Sequence, residues 1–211
     1  LSDSAIYDRD CRDCPRLARF LDEVAARHPD YWCRPVPPFG DPSARLVIVG
    51  LAPGMHGANR TGRPFTGDYA GILLYRTLHR FGFASLPEST DRDDRLRLVD
   101  CRITNAVKCL PPGNKPDGAE VATCNRYLAA ELTMSPSGVV VLALGGIAHR
   151  AVLKALGARQ SAFPFTHGAV HAPGDIRLLD SYHCSRYNTN TGRLTEAMFL
   201  EVMATARRLL D

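Results

Sequence analysis

The sequence predicts an α/β fold: a single domain, residues 1–211, with a short four-stranded parallel sheet sandwiched between helices. Three observations carry this. Four short apolar runs, Arg45–Leu51, Arg102–Val107, Gly138–Leu144 and Ile176–Ser181, read as buried strands. Segments with helical periodicity or helix-capping residues alternate with them. The chain is 211 residues long with 45% hydrophobic and 23% charged residues, which suits one folded domain and excludes a disordered chain.

The elements follow in order. In residues 15–27, Leu17, Phe20, Leu21, Val24 and Ala25 repeat at helical spacing, and Pro15 suits a first turn. Residues 31–43 are too rich in Pro and Gly to be regular. After the first strand comes a Gly-rich loop, 52–68, and then a helix over Tyr69–Phe81 that ends at Gly82. The charged stretch 88–97 reads as a surface loop or a solvated helix. Asp117 starts the next helix, with Glu120 completing a capping-box pair. Gly146–Leu156 is a helix closed by Gly157, and Thr195–Leu210 a last amphipathic one. Ligands of open parallel sheets bind outside the carboxyl ends of the strands. The loop 52–68, the strand end Asn105–Lys108 and the stretch 183–193 should therefore gather on one side.

Several classes are excluded or disfavoured. The longest apolar run, Gly138–Gly146, is strand-sized, well short of the roughly 20 residues that cross a bilayer. Leu1–Asp10 holds three aspartates and no apolar stretch, so a secretory leader is not expected. Seven cysteines, an odd number, argue for a reducing, cytoplasmic location and against a disulfide framework. The formal net charge of +4 permits a polyanionic partner without demanding one. The charge is uneven: residues 134–193 carry +4, and the first forty residues carry −1.

Cys11 and Cys14 form a C-x-x-C pair ahead of the first helix, and Cys109 and Cys124 form a second, wider pair. Four thiolates in two pairs can hold a tetrahedral metal or an iron–sulfur cluster, and the spacing does not decide between zinc and iron–sulfur. The alternative is four buried, inert cysteines.

The long loop runs Gly50-Leu-Ala-Pro-Gly-Met-His-Gly-Ala-Asn-Arg-Thr-Gly-Arg-Pro-Phe-Thr-Gly-Asp68. A strand–helix connection of this length is usually functional, and its glycines let the backbone approach a ligand. It is not a P-loop, because no Gly-Lys-Ser/Thr closes it. Taken alone, Asp68 reads as a helix N-cap and Phe65 as a core aromatic. Ser181-Tyr-His-Cys-Ser-Arg-Tyr-Asn-Thr-Asn-Thr-Gly-Arg193 mixes a histidine, two arginines and small polar residues. That mixture suits phosphate contacts and a wedge into stacked bases; the plainer reading is a polar surface loop. His28, His79, His149, His167 and His171 show no legible partner pattern.

These two loops, together with Ile103-Thr-Asn-Ala-Val-Lys-Cys109, closely resemble the family 5 uracil-DNA glycosylases, in matching order from Cys11 to Thr195. The related family 4 has Glu where this chain has Ala52. Where the superfamily often has Pro after the motif histidine, this chain has Cys184.

The resemblance implies hydrolysis of the N-glycosidic bond of a deaminated base in double-stranded DNA, leaving an abasic site. Uracil is the expected substrate, with others such as hypoxanthine. It also implies a [4Fe–4S] cluster on Cys11, Cys14, Cys109 and Cys124, chiefly structural. The flipped-out base would meet Leu51, Ala52, Pro53, Gly54, Phe65 and Asn105. Asp68, His183 and Asn105 would be the catalytic groups, and Arg186, Tyr187, Asn188 and Arg193 would hold DNA. A monomer without a membrane partner, of prokaryotic type and associated with the nucleoid, completes the expectation. Two other readings stand beside it: a non-catalytic, metal-stabilised nucleic-acid-binding module, and a nucleotide-processing enzyme. The first does not need the Gly-rich loop with Phe65 and Asp68, and the second should show a phosphate-cradling motif.

Overall fold

Four parallel strands form the centre of the fold: β2 (Leu46–Gly50), β3 (Cys101–Asn105), β4 (Val140–Leu144) and β6 (Arg177–Ser181). They are seen in a computed structural model that describes residues 7–211, so the reading of Leu1–Asp10 lies largely outside the described residues. The sheet is larger than the sequence predicts. Two antiparallel strands of two residues each, β1 (Phe39–Gly40) and β5 (Val170–His171), cap its edges and make it six-stranded, in the order β1-β3-β2-β4-β6-β5. Runs of two residues carry no alternation that a sequence reading could detect. Their placement is physically useful, because they cover the edges of what would otherwise be an exposed parallel sheet.

Alternate strand residues feed two cores. Leu46 and Ile48 of β2 face one side, where α3 (Tyr69–Arg80) and α7 (Glu196–Leu210) contribute Leu74, Leu78, Phe199 and Met203. Val47 and Val49 face the other, against Leu128 of α4 (Gly118–Thr133) and Val152 of α5 (Gly146–Ala155). Burial on both faces explains the unbroken apolar strands. Among the described residues no helix is long and apolar enough to cross a membrane.

Helix ends follow the sequence signals closely. The first helix, α1 (Pro15–Arg27), begins with Pro15 in its first turn, and Asp117 and Glu120 form the reciprocal capping box of α4. Two short helices in the loops carry no sequence signal: α2 (Ala58–Thr61) and α6 (Arg186–Asn190). Cys184 is fully buried in the first core.

One buried ion pair fixes the end of β3. Lys108 Nζ lies 2.5 Å from Glu131 Oε1 and donates to the Asn105 carbonyl at 3.0 Å, with both side chains almost fully buried. Replacing Lys108 with Met strands the Glu131 carboxylate. The expected loss is about 3–5 kcal/mol of stability by chemical denaturation, and Lys108→Met with Glu131→Leu should recover most of it.

Candidate active site

A cavity of about 450 Å³ opens at the carboxyl ends of β2, β3 and β6. The long loop after β2 supplies Leu51, Ala52, Gly54, Phe65 and Asp68 to its wall; β3 supplies Asn105; the segment after β6 supplies His183 and Arg186. This is the side where the topology of an open parallel sheet places ligands.

Asp68 sits at the N-cap position of α3 but does not cap it. Its side chain makes no hydrogen bond to the helix. It turns back into the loop, where Oδ2 accepts the Ala58 N–H at 3.2 Å. Two glycines make this possible. A Cβ on Gly57 would fall 1.9 Å from Asp68 Cγ, and one on Gly54 would fall 2.7 Å from Oδ1. Burial pushes the Asp68 pKa up, against the Ala58 hydrogen bond and the nearby charges of Arg60 and His56.

The loop is pinned rather than free. The buried Arg63 guanidinium pairs with Asp94 at 2.5 Å and donates to Thr66 Oγ1 at 2.9 Å and Ser89 Oγ at 2.8 Å. The charged stretch 88–97 is the expected surface loop, mostly exposed, and it also supplies the counter-ion for the loop after β2.

Phe65 holds a positive φ of 55°, a strained conformation for a non-glycine residue. Its ring lies almost wholly buried in the cavity wall, beside the His183 ring at 5.8 Å between centroids. That gap is below the roughly 7 Å that a flat ligand between the two rings needs, so a ligand is not sandwiched between them. Gly50 lets the ring and Asn105 meet, since a Cβ there would be 2.4 Å from Asn105 Oδ1 and 2.7 Å from Phe65. Asn105 Oδ1 is buried without a hydrogen-bond partner among the described residues. An unpaired buried amide oxygen in a cavity wall is an invitation to a ligand N–H.

Burial pushes the His183 pKa down to about 4, so the ring is neutral near pH 7. Its carbonyl accepts Asn188 Nδ2 at 2.9 Å. The backbone N–H groups of Ala52 and Gly54 donate to no acceptor among the described residues.

Of the residues expected to meet the base, Pro53 does not line the cavity, and of those expected to hold DNA, Tyr187, Asn188 and Arg193 lie outside it. Pro53 is buried outside its lining and has no N–H to offer. Asn188 is turned inward onto His183. Tyr187 projects from α6 with 72% exposure, and Arg193 stacks over Tyr182 at 4.7 Å. The sequence reading missed Tyr69, on the cavity rim under the Arg186 guanidinium at 4.9 Å. Its only sequence signal was its place next to Asp68.

The four cysteines converge from three segments. Cys11 and Cys14 precede α1, Cys109 follows β3, Cys124 lies on α4, and all four line one pocket. Burial, then the proximity of Cys124, Glu120 and Cys11, pushes the Cys14 thiol up to about 11, and burial pushes Cys109 and Cys124 up as well. Thiolates here need a cationic group among them. No three of these sulfurs lie within 4.8 Å of one another. Tetrahedral zinc with Zn–S near 2.3 Å would set sulfurs about 3.8 Å apart, and four cysteines lining one pocket are compatible with a bound metal centre.

The sequence model of the uracil DNA glycosylase superfamily matches residues 37–207, and the chain belongs to that superfamily. Within it the chain belongs to the type-5 family. It is 54% identical over 205 residues to the type-5 uracil-DNA glycosylase of Thermus thermophilus, covering 94% of this chain and 93% of that one. It is 47% identical over 209 residues to the type-5 enzyme of Mycobacterium leprae, covering 94% and 91%. A type-4 uracil-DNA glycosylase of Pyrobaculum aerophilum is 33% identical over 154 residues, covering 70% of each chain.

Asp68→Asn separates chemistry from structure. A carboxyl whose pKa is raised by folding adds stability only at low pH, and that contribution is lost as pH rises through the folded value. At neutral pH the buried charge therefore costs stability, and Asn should unfold at the same or higher denaturant concentration. Single-turnover base excision should fall by roughly 10²-fold or more, with DNA binding retained.

Proposed function

We propose that this protein is a monofunctional DNA-repair glycosylase that hydrolyses the N-glycosidic bond of uracil in double-stranded DNA. The observation that carries the reading is one cavity that joins an uncapped, half-buried carboxylate, an unpaired amide oxygen and a neutral imidazole beside an aromatic ring.

The residues divide the work. The target base leaves the duplex, which costs least at a mispair, and enters the cavity. Phe65, in the cavity wall, stacks on it, and Asn105 Oδ1 accepts one of its N–H groups. As the C–N bond breaks, the base leaves with negative charge. The neutral His183 ring and the free N–H groups of Ala52 and Gly54 donate to that charge. The sugar becomes cationic. Asp68 keeps one oxygen on Ala58 N–H and offers the other to a water, orienting it towards the sugar and taking its proton. Falling pH protonates Asp68 sooner than an ordinary carboxylate, so the rate falls on the acid side. Exposed Tyr187 fills the gap left by the base, and Arg186 and Arg193 face the backbone phosphates.

Cys11, Cys14, Cys109 and Cys124 would hold a [4Fe–4S] cluster. When bound, it ties α1, the end of β3 and α4 together and plays no part in bond cleavage. The protein acts as a monomer.

A uracil-containing duplex incubated with the protein and then heated in alkali should break at the uracil; an intact strand would overturn the activity. Ala52 presents only a methyl group to a roomy cavity, so hypoxanthine should be excised too, as read by the same assay on a hypoxanthine duplex. Purified protein should be yellow-brown with about four irons per chain, and Cys109→Ser should lose both iron and folded yield.

A further inference from the structure

The segment that delivers His183 to the cavity is fastened at every residue. Asp180 N–H donates to the Ala169 carbonyl at 3.0 Å, and its own carbonyl accepts Gly168 N–H at 2.8 Å. The Asp180 carboxylate lies 2.7 Å from His149 Nδ1 and 3.2 Å from His171 Nε2, and accepts Thr166 N–H at 3.2 Å. Ser181 is held by Gly145 N–H at 2.8 Å. The Tyr182 N–H donates to His167 Nδ1 at 3.1 Å, and the two rings stack at 4.8 Å and 10°. Most of these partners lie in one connection, between α5 and β6, which contributes nothing to the cavity wall.

We propose that His167 is a positioning residue for the excision reaction: its neutral Nδ1 holds the Tyr182 backbone, and so the His183 ring, in the catalytic place, and its protonation releases them. The proposal rests on the glycosylase reading above. Its chemistry is a matter of donors and acceptors. A neutral imidazole has one bare nitrogen, and the Tyr182 N–H requires Nδ1 to be that one. An imidazolium has no bare nitrogen, so two N–H groups would point at each other and the backbone at 182 would have to move. His183 is the next residue. A shift of about 1 Å at a reacting group is enough to cost roughly 10²-fold in rate.

The groups facing His167 set when this happens. Burial lowers its pKa, while the charges of Glu201 on α7 and Asp180 on β6 raise it, and burial prevails. Arg193 stands over the Tyr182 ring, and His149 and His171 share Asp180. The brace is therefore intact at neutral pH and is lost as pH falls below the usual histidine range. This loss is separate from that caused by protonating Asp68.

The test uses full-length holoprotein and single-turnover excision of uracil from about pH 5 to about pH 8. His167→Gln keeps an acceptor for Tyr182 N–H and does not titrate. It should match wild type at the alkaline end and exceed it several-fold at the acid end. His167→Phe keeps the stacking but has no acceptor. It should be slower by about tenfold or more at every pH, with DNA binding unchanged. In ¹H–¹⁵N imidazole spectra, the His183 resonances should move in His167→Phe and stay in His167→Gln. A wild-type acid limb in His167→Gln, or wild-type rates and His183 resonances in His167→Phe, would overturn the proposal. Because the spectra need no turnover, a protein that failed to excise uracil would count against the activity alone and leave the positioning claim readable.

Discussion

The active site depends on keeping one carboxylate away from its natural place. A helix N-cap aspartate normally points at the free N–H groups of its own helix. Asp68 is turned the other way, into a hollow that exists only because Gly54 and Gly57 have no side chains, and there it receives one hydrogen bond from Ala58. The arrangement is costly for folding, since burial disfavours the charged form and the helix loses a cap. Arg63 and its partners in 89–94 keep the loop closed around it, so the chain does not relax into the ordinary capped geometry.

The rest of the cavity is organised around the charge separation that the reaction creates. Asp68 stands where positive charge would grow on the sugar. His183, neutral because it is buried, stands with the free N–H groups of Ala52 and Gly54 where negative charge would grow on the base. Asn105 is held from behind by Lys108, whose own charge is neutralised by Glu131, so no net charge is spent on placing the amide. Phe65 accepts backbone strain to present its ring, and Gly50 clears the space where ring and amide meet. Each polar group is fixed before substrate arrives, which is what electrostatic stabilisation of a transition state requires.

Much of this was legible in the sequence. The four central strands, α1, α3, α4, α5 and α7 follow from apolar runs, Pro15, the Asp117–Glu120 box and Gly157, which are local signals. The convergence of the loop after β2, Asn105 and His183 follows from parallel topology. Other features are set by tertiary contacts and could not be read. The edge strands are two residues long and exist only by pairing. The orientation of Asp68 depends on a hollow made eleven to fourteen residues upstream, at Gly57 and Gly54, and without it the residue reads as a cap. The pairing of Arg63 with Asp94, by which the exposed stretch 88–97 also anchors the loop, joins residues far apart in the sequence. His149, Asp180 and His171 come from three separate elements and form a cluster only when β5 pairs with β6. Pro53, expected to meet the base, belongs to the right segment but does not line the cavity, and Asn188, expected at DNA, donates its amide to the His183 carbonyl.

The most direct measurement of the central claim is the ionisation of Asp68 itself. A ¹³C titration of the side-chain carboxyls in the substrate-free holoprotein, with the Asp68 signal assigned by its loss in Asp68→Asn, reads that one group without depending on turnover. The account requires Asp68 to titrate above the ordinary aspartate range, because burial in the Gly54–Gly57 hollow outweighs its single hydrogen bond. A carboxyl titrating at or below that range would mean a solvated or fully capped side chain, and would contradict the account.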